Sequence, residues 1–148
     1  EYVYSDSAND VYTMGGGSDT VIFDLLNQHD KLGGNGHDVW TDFTVGDTRQ
    51  KVNELDNSAY NVNADKIDIS ALLADQKSEG GSIDLAKFVS VEVKDGHTII
   101  SIDRDGETVV DDSGKVISGN QYAMTELLTL NNVETTLTDL LKNNQIIY

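Results

Sequence analysis

The chain has 148 residues, of which 38% are hydrophobic, and this is enough for a folded core and too much for a disordered tail. Its formal net charge of −16 argues against nucleic acid as a partner, because phosphate contacts need Lys and Arg. There is no Cys, so disulfides and zinc–thiolate sites are excluded, and the apolar runs are too short for membrane insertion.

The acidic residues are mostly of one kind, because Asp outnumbers Glu by 19 to 7. Asp favours turns and caps, whereas Glu favours exposed helix faces. Short carboxylates in turns are also ligands that hard cations such as Ca²⁺ prefer. The alternative is a solvated acidic surface of the halophilic kind.

The first predicted elements are short β-strands within residues 1–45, at 11–13, 20–23 and 39–41. They alternate with segments rich in Gly, Asp and Asn, which favour tight turns. Residues 46–64 are polar and rich in Asn, and they predict a loop. We therefore expect 1–45 to form one unit and 65–148 a second, β-rich domain.

The predicted domain 65–148 begins with a strand at 66–69, followed by a short helix at 71–74 capped by Ser70. Asp95-Gly96 between two β-prone runs predicts a hairpin of residues 88–93 and 97–102. The remaining predicted elements are strands at 108–110, 127–130 and 146–148, and a helix at 137–141 capped by Thr136. The expected fold is mostly β, with a short parallel β-roll packed on a β-sandwich-like domain with a few short helices.

A nine-residue period near the N-terminus is the sharpest signal in the sequence. Residues 33–41 match the calcium-binding nonapeptide G-G-x-G-x-D-x-U-x at every fixed position. Residues 14–22 match it at all but the first Gly, and residues 5–13 keep only the Asp and the apolar residue. Three units in phase favour a calcium-binding repeat, although Gly-rich segments of this kind also form ordinary turns.

The chemistry of this pattern assigns a role to each position. Gly permits a tight turn whose carbonyls point inward, Asp supplies a charged oxygen, and Tyr12, Val21 and Trp40 fill the interior. The predicted calcium ligands of the repeat are Asp10, Gly15, Gly17, Asp19, Gly34, Gly36 and Asp38. Equivalent turns recur about every eighteen residues when each nonapeptide makes half a coil. Asp19 and Asp38 are nineteen residues apart, so we expect turns 14–19 and 33–38 to stack and share a calcium ion.

Four further carboxylates are candidate ligands outside the consensus positions. Asp24 lies in residues 23–32, which we expect to be a half-coil that has lost its glycines. Asp42, Asp65 and Asp68 could hold a calcium ion between the roll and the sandwich, or could serve only in helix capping and solvation. No catalytic motif is present, and the three His residues are scattered along the chain.

The order of segments resembles the C-terminal target region of type I secretion substrates, especially large bacterial RTX adhesins. The segments that carry this resemblance are residues 33–38, 39–47, 64–73, 98–106, 127–133 and 140–148. The resemblance covers nearly the whole chain, and the degenerate unit 5–13 and the Gly-poor segment 23–32 depart from the pattern. These departures leave the number of calcium ions in the roll open.

The resemblance implies a non-catalytic, calcium-binding module that is secreted or displayed on a bacterial cell surface. It also implies a non-cleaved export signal near residues 127–148, recognised by an ABC exporter with its membrane-fusion and outer-membrane partners. Further RTX repeats upstream in the same chain are expected partners. The alternatives are an export and folding module of a secreted RTX enzyme, or a module that binds sugars or peptides through calcium.

Overall fold

The computed structural model describes residues 1–48, 61–77 and 83–148. The fold is mostly β with a few short helices, and this coarse prediction is confirmed. The strands are β1 (Tyr2–Tyr4), β2 (Val11–Tyr12), β3 (Thr20–Ile22), β4 (Asp38–Trp40), β5 (Lys66–Asp68), β6 (Val89–Lys94), β7 (His97–Ile102), β8 (Val109–Val110), β9 (Val116–Ser118), β10 (Thr125–Leu130) and β11 (Ile146–Ile147). The helices are α1 (Leu137–Lys142) and two 3₁₀ helices, Ser70–Gln76 and Leu85–Lys87.

Two sheets contain most of these strands. The first sheet has the order β1-β3-β5-β11, and every pair in it is parallel. The second sheet has the order β2-β4-β10-β7-β6, in which β2, β4 and β10 are parallel and β10, β7 and β6 are antiparallel. Strands β8 and β9 form a separate antiparallel hairpin.

The first five strands alternate between the two sheets, so each successive turn carries the chain from one sheet to the other. The apolar residue of each repeat unit faces inward, as predicted, since Tyr12, Val21 and Trp40 are 7%, 0% and 0% exposed. Ile67 of β5 and Ile100 of β7 belong to the same hydrophobic cluster. Strands from 1–45 and from 65–148 therefore share both sheets and one core.

Several local predictions are confirmed at residue level. The hairpin of β6 and β7 turns at Asp95 and Gly96, with φ of 54° and 82°, as a type I′ turn requires. Thr136 caps α1, because its side chain accepts a hydrogen bond from the backbone N–H of Asp139 at 3.1 Å.

The predicted cap at Ser70 is wrong. The helix is a 3₁₀ helix that includes Ser70 and has no side-chain cap. The hydroxyl and N–H of Ser70 both donate to Asp68 Oδ1, at 2.6 and 3.0 Å. Asp68 therefore supplies the acceptor just before this helix.

The predicted loop 46–64 lies largely outside the described residues, and the division into two domains stays a prediction. No helix within the described ranges is both long and apolar enough to cross a bilayer. Strands β1 and β9 were not predicted, because β1 carries no repeat motif and β9 is exposed along its whole length.

Candidate metal centre

The strand register of the first sheet sets Asp19 beside Asp65. Thr20 pairs with Lys66, and each Asp is the residue just before its paired strand. Both are buried, with 3% and 1% exposure. Asp65 Oδ1 accepts a hydrogen bond from the backbone N–H of Asp19 at 2.9 Å, and Oδ2 accepts one from Thr44 N–H at 2.7 Å. We call this pair the first stack.

Only one oxygen of the Asp19 carboxylate has a hydrogen-bond donor among the described residues. Its Oδ1 accepts a hydrogen bond from the ammonium group of Glu1 at 2.8 Å. Its Oδ2 is buried and has no hydrogen-bond partner among the described residues. A buried carboxylate oxygen without a donor is energetically costly, and it is also a strong ligand for a hard cation.

The second sheet brings Asp10 and Asp38 together in the same manner, and we call this pair the second stack. Val11 pairs with Val39, so the two Asp residues occupy equivalent positions. Asp38 is fully buried. Its Oδ1 accepts from Asp10 N–H at 2.8 Å, and its Oδ2 accepts from Ser5 Oγ at 2.8 Å and from the Tyr12 hydroxyl at 2.7 Å. Both oxygens of Asp38 therefore have protein donors.

Burial controls the electrostatics of both stacks. It raises the pKa of Asp65 to about 6, against the hydrogen bonds from Thr44 and Asp19 that favour the ionised form. Burial also raises the pKa of Asp38, against its hydrogen bonds from Asp10, Tyr12 and Ser5. Since a nearby cation favours the charged form of a carboxylate, bound calcium would oppose both shifts.

The predicted glycine ligands have positive φ, a backbone conformation that residues with a side chain rarely adopt. The φ angles of Gly15, Gly17, Gly34 and Gly36 are 84°, 103°, 89° and 76°. This left-handed region is the conformation that a Gly-rich turn needs. All four glycines therefore have the backbone conformation expected of the repeat.

The carboxylate of Asp42 accepts hydrogen bonds from the backbone of the turn before β3. Burial favours its protonated form, but hydrogen bonds from Met14 N–H, Gly15 N–H and Trp40 Nε1 outweigh burial and lower its pKa. It therefore supports the turn that contains Gly15 and Gly17.

The structure does not bring Asp24 or Asp68 into a stack. Asp24 is half-buried, and its backbone carbonyl accepts from Asn35 Nδ2 at 2.7 Å. No hydrogen bond among the described residues links its carboxylate to either stack. Asp68 Oδ1 instead accepts hydrogen bonds from the N–H and the hydroxyl of Ser70.

The expected stacking of turns 14–19 and 33–38 is wrong. The first of these turns leads into β3 of the first sheet, and the second leads into β4 of the second sheet. Residues 23–37 contain no strand, so the expected half-coil at 23–32 is absent. Turn 33–38 instead lies against residues 5–10, and turn 14–19 lies against residues 63–65.

Two Asn side chains that contact these turns do not stand at consensus positions of the repeat. Asn9 Oδ1 accepts from His37 N–H at 3.0 Å, and Asn63 Oδ1 accepts from Gly17 N–H at 3.1 Å. A signal for the second was available, because residues 65–68 have the Asp, x, apolar, x order of residues 19–22. The segment before β5 thus shares the Asp and the apolar residue of the unit before β3, without its glycines.

The buried carboxylate pairs beside the Gly-rich turns are the groups here that could hold a calcium ion. Across residues 1–48, 61–77 and 83–148, no three His, Asp or Glu side chains converge on a common point. Calcium also accepts backbone carbonyl and water ligands, so a pair of carboxylates beside a Gly-rich turn suits its chemistry. The unpartnered Oδ2 of Asp19 is the observation that favours a cation at the first stack.

Comparison with known proteins adds no assignment, because no family model, no curated protein and no solved structure matches this chain.

Proposed function

We propose that this chain is a non-catalytic, calcium-binding extracellular module from the C-terminal region of a large RTX adhesin. Its N-terminal turns form a short parallel β-roll that folds on extracellular calcium. Residues near the C-terminus carry the type I secretion signal, and the module is secreted or held at a bacterial cell surface.

The alternation of strands supports the roll. Strands β1, β3 and β5 are parallel to one another, and so are β2 and β4, as expected of a chain that coils between two sheets. A Gly-rich turn with positive φ precedes β3 and another precedes β4. Each turn ends in a buried Asp, as the nonapeptide consensus predicts.

The observation that carries the calcium proposal is the buried and unpartnered Oδ2 of Asp19 beside Asp65. These two carboxylates, with carbonyls of the turn containing Gly15 and Gly17, would hold the ion. Calcium would add positive charge beside two adjacent buried carboxylates, of which Asp19 already pairs with the ammonium group of Glu1. The second stack, with Asp38, Gly34 and Gly36, is the corresponding candidate at the other side of the roll.

Calcium binding would make the folding of this module depend on the calcium concentration of its compartment. A chain with a net charge of −16 repels itself when it is compact. Extracellular calcium modules bind with dissociation constants of about 10⁻⁴–10⁻³ M, far above the free calcium of the cytosol. A site at a hundredfold excess of calcium adds about 2.7 kcal/mol to the free energy of unfolding. The chain would thus remain unfolded inside the cell and fold outside it.

Calcium titration followed by circular dichroism and calorimetry tests this function. We expect millimolar calcium to raise Tm by about 5–10 °C per saturated site relative to EDTA, given the usual dependence of Tm on free energy for a domain of this size. Magnesium at the same concentration is the matched control and should have a much smaller effect. Identical melting curves in EDTA and calcium would contradict the proposal.

The proposed export segment 127–148 is also structural. It contributes most of β10, the helix α1 and the strand β11, and Leu140 in it is fully buried. An exporter could therefore reach this segment only before the module folds.

Export is tested by fusing the chain, with and without residues 127–148, to a slow-folding passenger in a cell with a matching type I exporter. We expect the passenger to reach the medium only when the segment is present. A scrambled version of residues 127–148 controls for length and composition. Undiminished export after deletion would leave the segment with a structural role alone.

A further inference from the structure

A polar cavity of about 300 Å³ lies apart from both stacks. Its walls come from the segment that contains Gln28 and His29, from the end of the 3₁₀ helix at Gln76, and from Arg104, Gln121 and Tyr122. Primary amides, an imidazole, a phenol and a guanidinium thus surround a space large enough for a small polar ligand.

Arg104 is the most constrained group of this cavity. Only 6% of it is exposed. Its Nη1 donates to the backbone carbonyls of Gln28 and Asp30, and its guanidinium carbon lies 4.9 Å from the centre of the Tyr122 ring. Its Nε is buried and has no hydrogen-bond partner among the described residues. These contacts fix the plane of the guanidinium at the cavity wall.

No carboxylate of the described residues lies within ion-pair distance of this buried cation. Its neighbour Asp105 accepts from the backbone N–H groups of Gln121 and Tyr122, at 2.7 and 3.2 Å. The chain has 26 acidic residues, so one of its own carboxylates could have been the ion-pair partner of Arg104. A buried charge without a partner is costly. Nη1 is occupied by the two carbonyls and Nε is inaccessible, so Nη2, which has no hydrogen-bond partner among the described residues, is the donor left for a carboxylate.

We propose that this cavity binds a saccharide that carries a carboxylate, of the hexuronate class. Arg104 binds the carboxylate. The amides of Gln28, Gln76 and Gln121 each offer a donor and an acceptor, which is what sugar hydroxyl groups require. Asp75 also lines the cavity and is its one carboxylate, so it opposes an anionic ligand by charge repulsion.

A matched pair of sugars tests the site on the intact chain. D-Galacturonate and D-galactose differ only in the carboxylate at C6, and both are titrated by calorimetry in calcium-containing buffer. We expect galacturonate to bind about 10- to 100-fold more tightly, because a hydrogen bond to a charged group contributes about 1.5–3 kcal/mol. Equal affinity for the two sugars, or no binding of galacturonate, would overturn the proposal. Acetate binding as tightly as galacturonate would also overturn it, because the hydroxyl groups would then contribute nothing.

Two exposed lining residues provide variants that leave the core intact. Asp75→Asn removes the opposing charge and should raise galacturonate affinity about fivefold with little change for galactose. Gln76→Ala should weaken galacturonate binding. An unchanged galacturonate affinity in Asp75→Asn, with the fold verified by circular dichroism, would place the anion elsewhere. Because none of these measurements depends on a calcium site in the roll, their failure is distinct from failure of the proposed function.

Discussion

The two stacks have the same backbone geometry and different chemistry. In each, a buried Asp accepts a hydrogen bond from the backbone N–H of the Asp in the adjacent turn, at 2.9 Å in the first stack and 2.8 Å in the second. In the second stack the hydroxyls of Ser5 and Tyr12 complete the shell of Asp38. In the first stack the backbone N–H of Thr44 completes the shell of Asp65 in the same way. The stacks differ at the other Asp: Asp19 is buried and its Oδ2 has no partner among the described residues, whereas Asp10 is half-buried and its Oδ2 accepts from the Asp6 N–H at 3.4 Å.

This difference teaches that a consensus match and an available carboxylate are separate properties. Residues 33–38 match the nonapeptide best, yet both oxygens of Asp38 already have protein donors. Burial raises the pKa of Tyr12, so its hydroxyl stays protonated and donates to Asp38. We therefore expect the first stack to depend on a cation more strongly than the second.

Replacing one Asp of each stack should produce the largest contrast. We expect Asp19→Asn to weaken calcium affinity about 100-fold, because few carboxylates carry the charge of such a site. Asp38→Asn should instead lower the free energy of unfolding in EDTA by about 1–3 kcal/mol, since it disrupts three buried hydrogen bonds. Calorimetric calcium titration and urea unfolding measure the two effects.

The equivalent substitution Asp10→Asn serves as a control in the second stack, because Asp10 is only half-buried. Its effect on unfolding in EDTA should be smaller than that of Asp38→Asn. If Asp19→Asn and Asp38→Asn changed calcium affinity equally, the distinction between the stacks would be lost.

Glycine substitutions sharpen the comparison at the level of the backbone. Gly17 and Gly36 both have positive φ, so Ala at either position should cost about 1–2 kcal/mol. A Cβ at Gly36 would lie 2.6 Å from the backbone oxygen of Ala8, whereas a Cβ at Gly17 would have no atom within 4 Å. Gly36→Ala should therefore cost about 1–2 kcal/mol more than Gly17→Ala in chemical unfolding.

Gly16→Ala is the matched control, because φ of Gly16 is not positive and its Cβ would meet no atom within 4 Å. It should leave the free energy of unfolding nearly unchanged. Equal costs for Gly36→Ala and Gly17→Ala would mean that turn 33–38 does not pack closely on residues 5–10 in solution.

The pH dependence of stability should change sign with calcium, and this is the smallest expected effect. Burial raises the pKa of Asp65 to about 6, above the value near 4 of an unfolded Asp. Between these values the folded state holds more protons than the unfolded state, so metal-free stability should rise as pH falls from about 7 to about 4. Calcium needs the ionised carboxylate, so its stabilisation should shrink over the same range.

Thermal unfolding across this range, with calcium and with EDTA, gives the measurement. The variant Asp65→Asn separates this residue from the general effect of the net charge, and it should flatten the metal-free profile by a few degrees. A profile unchanged by Asp65→Asn would show that Asp65 keeps an ordinary pKa.

Local patterns were enough to predict the short-range features of this protein. The Asp95-Gly96 hairpin, the cap at Thr136 and the inward-facing Tyr12, Val21 and Trp40 follow from φ preferences, side-chain capping and alternation along a strand. The buried Asp at the end of each Gly-rich turn follows from the nine-residue period. All of these depend on residues close together in the chain.

Which turns lie side by side was decided only by the tertiary structure. Asp38 meets Asp10 across 28 residues and Asp19 meets Asp65 across 46, because the segment 23–37 forms turns and no strand. The predicted stacking of turns 14–19 and 33–38 was based on their spacing in residues, which assumes that every nonapeptide spans half a coil. That assumption fails in the Gly-poor segment between them. The sequence determined the types of turn and of side chain. Packing of the two sheets around one core decided which carboxylates share a stack and which of their oxygens have donors.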